Sequence, residues 1–530
     1  MRRIIDGVVG SFIVALLTLP AFITTTATPA RAAGPTILGA GSTWSAIAIN
    51  QWQADVNRLG LSVNYQSVGS TSGRQFFASN TVDFGVSEIP FQSDDPQVKR
   101  KYAYLPIVAG GTAMMYNLKD AGGNQIRDLK LSSGTIAAIF TGKITNWNDA
   151  RIRADYGKTI PSQAIKAIVR SDGSGTSAQF SAYLKAMQPG AWGSFTSSCG
   201  VPNQATSFWP YGRPNCLQNG IAQKGSDGVA NYIANQGLGV GAIGYLEAGY
   251  AVARKFPVVG VKNRSGTFTI PTAGNVAIAL RHAKLNSDST QDLSQVYTAP
   301  EKDAYPISSY SYMIVPTDSS ISNDKGAVLG KFIIYFACKG QQAAQRLGYS
   351  PMPKELVEFA FAAERKIPGA PDPPAVNGQE CPNPTLTGDF KGGGVLPGTD
   401  LSGNGNIDGG DTSVPDPNDP RNRQSGNGDG SRVDENGNPI GPGEEGSATD
   451  GSGKGGDGKD GGSGTGGSDG VRYTTDEPAV LSNAQLLSRQ LAASELIDGL
   501  RPTSNLPLLV LATIILALVF GPVFLRMRSR

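Results

Sequence analysis

The chain has 530 residues, room for two to four domains. With a single histidine, His282, and four cysteines that form no C-x-x-C pair, it lacks the usual donors of a metal centre. The net charge of +3 hides an asymmetry: residues 34–370 carry 31 Lys/Arg and 21 Asp/Glu, whereas 371–470 carry 6 and 17, so a basic body suited to anionic ligands or surfaces bears an acidic tail.

In chain order, Arg2 and Arg3, the apolar run Val8–Leu19 and the small-x-small triplet Ala30-Arg31-Ala32 predict a secretory signal over 1–33. No cysteine follows the run, which excludes a lipid anchor there. The body, 34–370, alternates short β-branched runs with helical patterns, which predicts an α/β fold. One design recurs three times within it: a strand, a Gly/Ser/Thr loop, then a helix start. The first is Thr36–Leu38, then Gly39-Ala40-Gly41-Ser42-Thr43-Trp44, with a helix through Trp52. The second is Ser62–Val68, then Gly69-Ser70-Thr71-Ser72-Gly73, with a helix from about Arg74. The third is Ile165–Arg170, then Ser171-Asp172-Gly173-Ser174-Gly175-Thr176, with a helix through Leu184.

Physical chemistry gives such loops a use. The first N–H groups of a helix have no partner inside it, and the dipole there is positive. Glycine lets the backbone curl close to a ligand, and Ser or Thr hydroxyls add donors, so an oxyanion is the natural occupant. A single loop is better explained as a helix cap; three in one body, with Arg170 ending a strand, favour a binding site. Other phosphate chemistry is missing. There is no G-x-x-x-x-G-K-[ST] loop, Gly39-x-Gly41 lacks the third glycine of a dinucleotide fingerprint, and Gly173-Ser174-Gly175 is not a nucleophile elbow. Nothing in the chain implies a cofactor, a nucleic acid partner or an enzyme.

With export expected, disulfides are plausible, and the four cysteines allow three connectivities. Cys199–Cys216, closing a Pro/Asn/Gly-rich loop, and Cys338–Cys381, stapling the end of the body, are favoured. Residues 371–475 read as a disordered spacer, because 371–470 holds 28 of the 68 glycines and almost no large apolar residues. A flexible stretch of that length spans roughly 50–60 Å. An amphipathic juxtamembrane helix is expected over 480–500 and a transmembrane helix over the uncharged run 506–525, with Arg526, Arg528 and Arg530 placing the 526–530 tail in the cytoplasm and the body outside.

The body resembles the phosphate-binding proteins of ABC transporters, the PstS family, through GAGSTW (39–44), VNYQSVGSTSG (63–73), TVDFGVSEIP (81–90), VRSDGSGTS (169–177), GAIGYLEAGYA (241–251) and DAYPISSYSYMIVP (303–316). The resemblance implies a two-lobed periplasmic-binding-protein fold, lobe one about 35–112 with 275–365 and lobe two about 113–274, hinged to close on a ligand. It further implies that Thr43, Trp44, Ser70, Glu88, Arg170, Ser174, Gly175 and Thr176 contact inorganic phosphate, that Asp172 holds Arg170, and that an ABC permease is the partner. Where the family has Asp, this chain has Glu88. A carboxylate facing an anion makes sense only if the anion brings a proton to donate, which separates phosphate from sulfate; Glu keeps that logic but moves the acceptor by about a bond length. A membrane-anchored surface sensor or adhesive protein on the same scaffold is the alternative reading, favoured by the long spacer.

Overall fold

The structure, a computed structural model, describes residues 34–402 apart from 394–395, together with two short strands at 432–433 and 439–440. The expected signal 1–33, nearly all of the spacer beyond 402, the juxtamembrane helix 480–500, the membrane span 506–525 and the basic tail lie outside the described residues. Among the described residues, no helix is long and apolar enough to cross a membrane.

In chain order the elements begin β1 (Ile37–Gly41), α1 (Ala46–Arg58), β2 (Val63–Ser67), α2 (Ser70–Ala78), β3 (Phe84–Ser87) and the long β4 (Tyr102–Asn117). There follow β5 (Lys130–Leu131), α3 (Ser133–Phe140), α4 (Ala150–Tyr156), β6 (Lys166–Arg170), α5 (Gly175–Met187), α6 (Pro189–Ser198), β7 (Gly220–Gln223), α7 (Gly225–Ala234), β8 (Ala242–Glu247) and α8 (Ala248–Arg254). After these come β9 (Gly260–Lys262), β10 (Phe268–Thr269), α9 (Ala273–Leu280), β11 (Lys284–Leu285), β12 (Gln291–Asp292), β13 (Ser308–Pro316), α10 (Asn323–Ala337), α11 (Lys354–Glu364) and α12 (Pro384–Thr387). The last two strands, β14 (Arg432–Val433) and β15 (Pro439–Ile440), pair only with each other.

Eight strands form one sheet in the order β2-β1-β3-β13-β4-β8-β6-β7. The first half is β2, β1 and β3 in parallel, closed by antiparallel β13. In the second half, β7 and β8 flank β6 in parallel. Strand β4 joins the halves. It pairs with β13 as far as Gly111 and with β8 from Thr112, so its partner changes between adjacent residues. The sheet is thus two α/β lobes on a shared strand. β4 carries an almost unbroken buried apolar run, as a strand covered on both faces must.

Both favoured disulfides are formed, with Cα–Cα separations of 5.0 Å for Cys199–Cys216 and 4.7 Å for Cys338–Cys381. The expected start of the spacer at 371 needs correction, because residues 371–402 pack on the body. Cys381 and Asn383 are fully buried, and Leu396 and Thr399 nearly so. The Asn383 amide donates to the carbonyls of Ala337 and Met352 at 3.1 and 3.0 Å. Further on, the segment reaches the second lobe: Val258 N–H donates to Thr399 Oγ1 at 2.9 Å, and Asp400 N–H donates to the Arg127 carbonyl at 2.9 Å. The composition argument failed here because a few anchors suffice: the disulfide, the Asn383 and Thr399 side-chain hydrogen bonds, the Asp400 backbone bond, and a small number of apolar groups such as Leu396 and Leu386 packed on the core. Glycine assists: a Cβ at Gly274 would lie 2.2 Å from the Gly393 nitrogen, so the two chains pass in near contact.

Two stability predictions follow from this packing. Asn383→Ala removes the amide donor to the buried Ala337 carbonyl and the N-cap of α12, while Met352 keeps Thr385 Oγ1 at 2.7 Å, and should cost about 1–3 kcal/mol, read as a lowered urea midpoint at unchanged slope. Glu364, on α11, is fully buried against Gly330, and burial pushes its carboxyl up to about 7. A raised folded value means that its contribution is present below the unfolded value of 4.5 and is lost as pH rises toward 7. Glu364→Gln should therefore raise the melting temperature at pH 8 by the equivalent of about 1–3 kcal/mol, and by little at pH 4.5.

Candidate functional site

The carboxyl ends of β1, β2 and β3 carry the first two loops and Glu88, and the carboxyl ends of β6 and β7 carry the third loop and the start of α7. This is where open α/β sheets present ligand groups. Two helices begin earlier than their sequences suggest. α2 starts at Ser70 and α5 at Gly175, inside the loops, so the loop hydroxyls and N–H groups are themselves the helix ends.

Arg170 ends β6 with 2 % of its surface exposed. Its Nε donates to Asp172 Oδ1 at 2.8 Å and its Nη2 to Asp172 Oδ2, a bidentate pair. Among the described residues its Nη1 has only Thr176 Oγ1, at the long distance of 3.5 Å. Burial works against the Arg170 charge, but the Asp172 carboxylate outweighs it and holds the guanidinium above its ordinary value. Burial likewise opposes the Asp172 charge, and Arg170 holds that carboxyl below the ordinary range. Asp172 also accepts from Gly225 N–H at 2.9 Å, tying α7 to the third loop.

Glu88, 1 % exposed, follows β3. Three hydroxyls donate to it: Ser42 and Ser311, the latter at 3.0 Å, to Oε1, and Ser70 at 2.7 Å to Oε2. The Ser70 oxygen in turn accepts from Gly175 N–H at 3.1 Å, across the two lobes. Only glycine fits at 175, since a Cβ there would sit 2.3 Å from Glu88 Oε2 and 2.8 Å from Ser70 Oγ. Ser174 is the N-cap of α5, its Oγ accepting from Ser177 N–H at 3.1 Å. Thr43 Oγ1 lies 3.1 Å from Ser226 Oγ and accepts from Ser226 N–H at 3.1 Å, again across the lobes. Trp44 is fully buried edge-on against Tyr349, with its N–H on Ser42 Oγ at 2.9 Å.

The expected residues therefore belong to one continuous set of contacts. Thr43 meets Ser226, beside Gly225 on Asp172 and Arg170; Ser70 meets Gly175 and Glu88; Glu88 meets Ser42, beside Thr43. His282 lies apart, its Nε2 paired with Glu301 at 2.9 Å. Three contributors are additional. Ser42 stood inside the first loop and took its role only through Glu88. Ser226 opens α7 after β7, and its Gly225-Ser226 step repeats the strand–glycine–hydroxyl–helix design, so the signal was in the chain. Ser311 sits in a fully buried strand, and only the β3–β13 pairing brings it to Glu88.

Two α/β lobes on a shared strand, with helix N-termini and a buried Arg–Asp pair meeting between them, define a two-lobed ligand-binding protein of the periplasmic type. Residues 25–339 match the model described as PBP superfamily domain. The chain is 33 % identical over 336 residues to the phosphate-binding protein PstS of Xylella fastidiosa strain Temecula1, covering 62 % of this chain and 86 % of that one. Against PstS of Pasteurella multocida the identity is 31 % over 327 residues, covering 61 % and 88 %. A solved structure titled as a DING protein aligns with a TM-score of 0.48 at 19 % identity, over 62 % of this chain and 93 % of that one. The chain belongs to the PstS family of phosphate-binding proteins.

The buried Arg170–Asp172 pair makes a direct prediction. Asp172→Ala leaves a buried cation without its partner and should cost about 3–5 kcal/mol in chemical denaturation. Because the folded Asp172 value lies below 3.8, the wild-type contribution is complete above that pH and is lost as pH falls through the folded value. The difference between wild type and Asp172→Asn should therefore shrink on acidification below pH 4.

Proposed function

We propose that the chain captures inorganic phosphate outside the cytoplasm, through Thr43, Trp44, Ser70, Glu88, Arg170, Ser174, Gly175 and Thr176, and passes it to an ABC-type importer. The carrying observation is that one buried guanidinium with a spare N–H and one buried carboxylate share a site lined by helix N-termini. Arg170 Nη1 and the N–H groups favour a small oxyanion. The carboxylate decides which one. A carboxylate offers about four lone-pair sites. Ser42 and Ser311 fill those of Oε1, and Ser70 takes one on Oε2. One acceptor position is left, and a ligand able to fill it must bring a proton. Monohydrogen and dihydrogen phosphate do; sulfate presents a second negative group instead. The three serines also explain how Glu serves in place of Asp, since they fix the longer side chain at both oxygens.

The same proposal includes export through segment 1–33 and tethering by the run 506–525. Its support is the apolar length of the run and the arginines behind it. The reach of the chain between the packed body and that run also suits a surface sensor on the same scaffold, and loss of phosphate uptake in cells without this chain separates transport from sensing.

Calorimetry on residues 34–402, the packed limit of the body, should give heat with phosphate and arsenate and none with sulfate. Absence of phosphate binding would end the proposal. Arg170→Ala should weaken phosphate at least about 100-fold, some 2.7 kcal/mol. Thr43→Ala should cost about tenfold or less, because the backbone donors survive. Glu88→Gln replaces an acceptor by a donor and should narrow the gap between phosphate and sulfate.

A further inference from the structure

The first loop is held from behind by two tyrosines. Tyr250, on α8 of the second lobe, donates its hydroxyl to the Thr43 carbonyl at 2.6 Å. Tyr349 donates to the next carbonyl, that of Trp44, also at 2.6 Å. A trans peptide unit is planar, with its C=O and N–H pointing in opposite directions. Fixing the Thr43 carbonyl therefore fixes the direction of the Trp44 N–H, and fixing the Trp44 carbonyl fixes that of the Ser45 N–H. Ser45 is the N-cap of α1, so both N–H groups belong to a helix end without internal acceptors. Both turn toward the site: they approach Ser42 Oγ, at 2.9 and 3.4 Å, and that hydroxyl itself donates to Glu88.

Behind Tyr349 lies Glu247, the last residue of β8. It stands opposite Thr112, where β4 changes partner between the lobes. Its side chain is fully buried. Oε2 accepts from Gly249 N–H at 2.8 Å, while Oε1 has no hydrogen-bond partner of ordinary geometry among the described residues. The groups acting on the carboxyl are the N–H groups of Ala248 and Gly249 and the Tyr349 hydroxyl, with no Lys, Arg or second carboxylate among them. Tyr349 in turn faces Glu247, Tyr250 and the Ala48 N–H.

We propose that Tyr250, and Glu247 acting through Tyr349, are positioning residues that aim the Trp44 and Ser45 N–H groups of the first loop at the bound anion. A buried carboxylate with neither a cation nor the set of hydroxyl donors that surrounds Glu88 is costly, so Glu247 is held as the neutral acid. Burial pushes it well above the ordinary carboxyl range. Tyr349 gives its proton to the Trp44 carbonyl, so toward Glu247 it can offer only a lone pair. The proton order this arrangement allows is Glu247 carboxyl toward the Tyr349 oxygen and Tyr349 hydroxyl to the Trp44 carbonyl. An ionised Glu247 would compete for the tyrosine proton and release that carbonyl. Tyr250 adds a link between the lobes, because its grip on the first loop exists only while α8 lies against that loop. Donor orientation and lobe approach are thereby joined.

The inference rests on the reading that the first loop donates to phosphate, so its test has two readouts. In the full chain, titrated with inorganic phosphate, Tyr250→Phe and Tyr349→Phe should each raise Kd about tenfold while leaving the melting temperature within a few degrees. Glu247→Gln, whose amide can still donate to Tyr349, should stay within about threefold of wild type. Glu247→Leu should match Tyr349→Phe, and the double variant should be no worse than either single one, as members of one relay. Without phosphate, amide hydrogen exchange at Trp44 and Ser45 should speed up in Tyr250→Phe and Tyr349→Phe whatever the ligand proves to be. Unchanged exchange in both variants, or Glu247→Gln as damaging as Glu247→Leu, overturns the proposal. Altered exchange with no phosphate binding by wild type would instead reject the phosphate reading alone.

Discussion

A guanidinium taken out of water costs more than any single contact in this fold returns, unless a carboxylate meets it with both oxygens. The Arg170–Asp172 pair satisfies that condition, and much of the site is arranged around it. Asp172 is placed by the turn after β6, and it also fastens the start of α7 through Gly225. On its other side Gly69 comes so near that a Cβ would lie 2.5 Å from Asp172 Oδ2, so the second loop of lobe one is shaped to the same carboxylate. The pair therefore fixes a charged point where both lobes meet and leaves Nη1 with no more than the long contact to Thr176 Oγ1 among the described residues.

Against that cation the structure sets Glu88, buried, held by serine hydroxyls and with no cation bonded to it among the described residues. Hydroxyls can rotate, so they can donate to the carboxylate while their oxygens still accept, as Ser70 does from Gly175 and Ser42 from Trp44. A lysine in their place would neutralise the carboxylate and remove the reason for a protonated ligand. The serine set keeps Glu88 an acceptor. On the proposed reading the two lobes would supply unlike halves of the recognition: lobe two the charge and the α5 N-terminus, lobe one the acceptor and the first-loop N–H groups.

The packed extension beyond 370 adds a feature that the alternation of strands and helices does not foresee. It is fastened to lobe one by Cys338–Cys381 and Asn383, and to lobe two by Thr399 and Asp400. The chain leaving the body therefore does so from a segment in contact with both lobes, and not from a free end of α11.

The sequence by itself determined the α/β class and the three loop-to-helix junctions, because these rest on short-range rules, periodicity and the needs of a helix end; it favoured the two cysteine pairings among three connectivities, and the hold of Asp172 on Arg170 was implied by the family resemblance. Family membership was legible in the same loops. What only the tertiary structure decided is long-range. Ser311 reaches Glu88 because β13 lies antiparallel to β3, a pairing between segments more than two hundred residues apart. Tyr250, Tyr349 and Glu247 stand behind the first loop because β4 changes partner at Gly111–Thr112. The boundary at 370 moved because glycine-rich composition averages over a segment, and is blind to a disulfide, two side-chain hydrogen-bond anchors and a few buried apolar groups that fix residues 371–402 to the body.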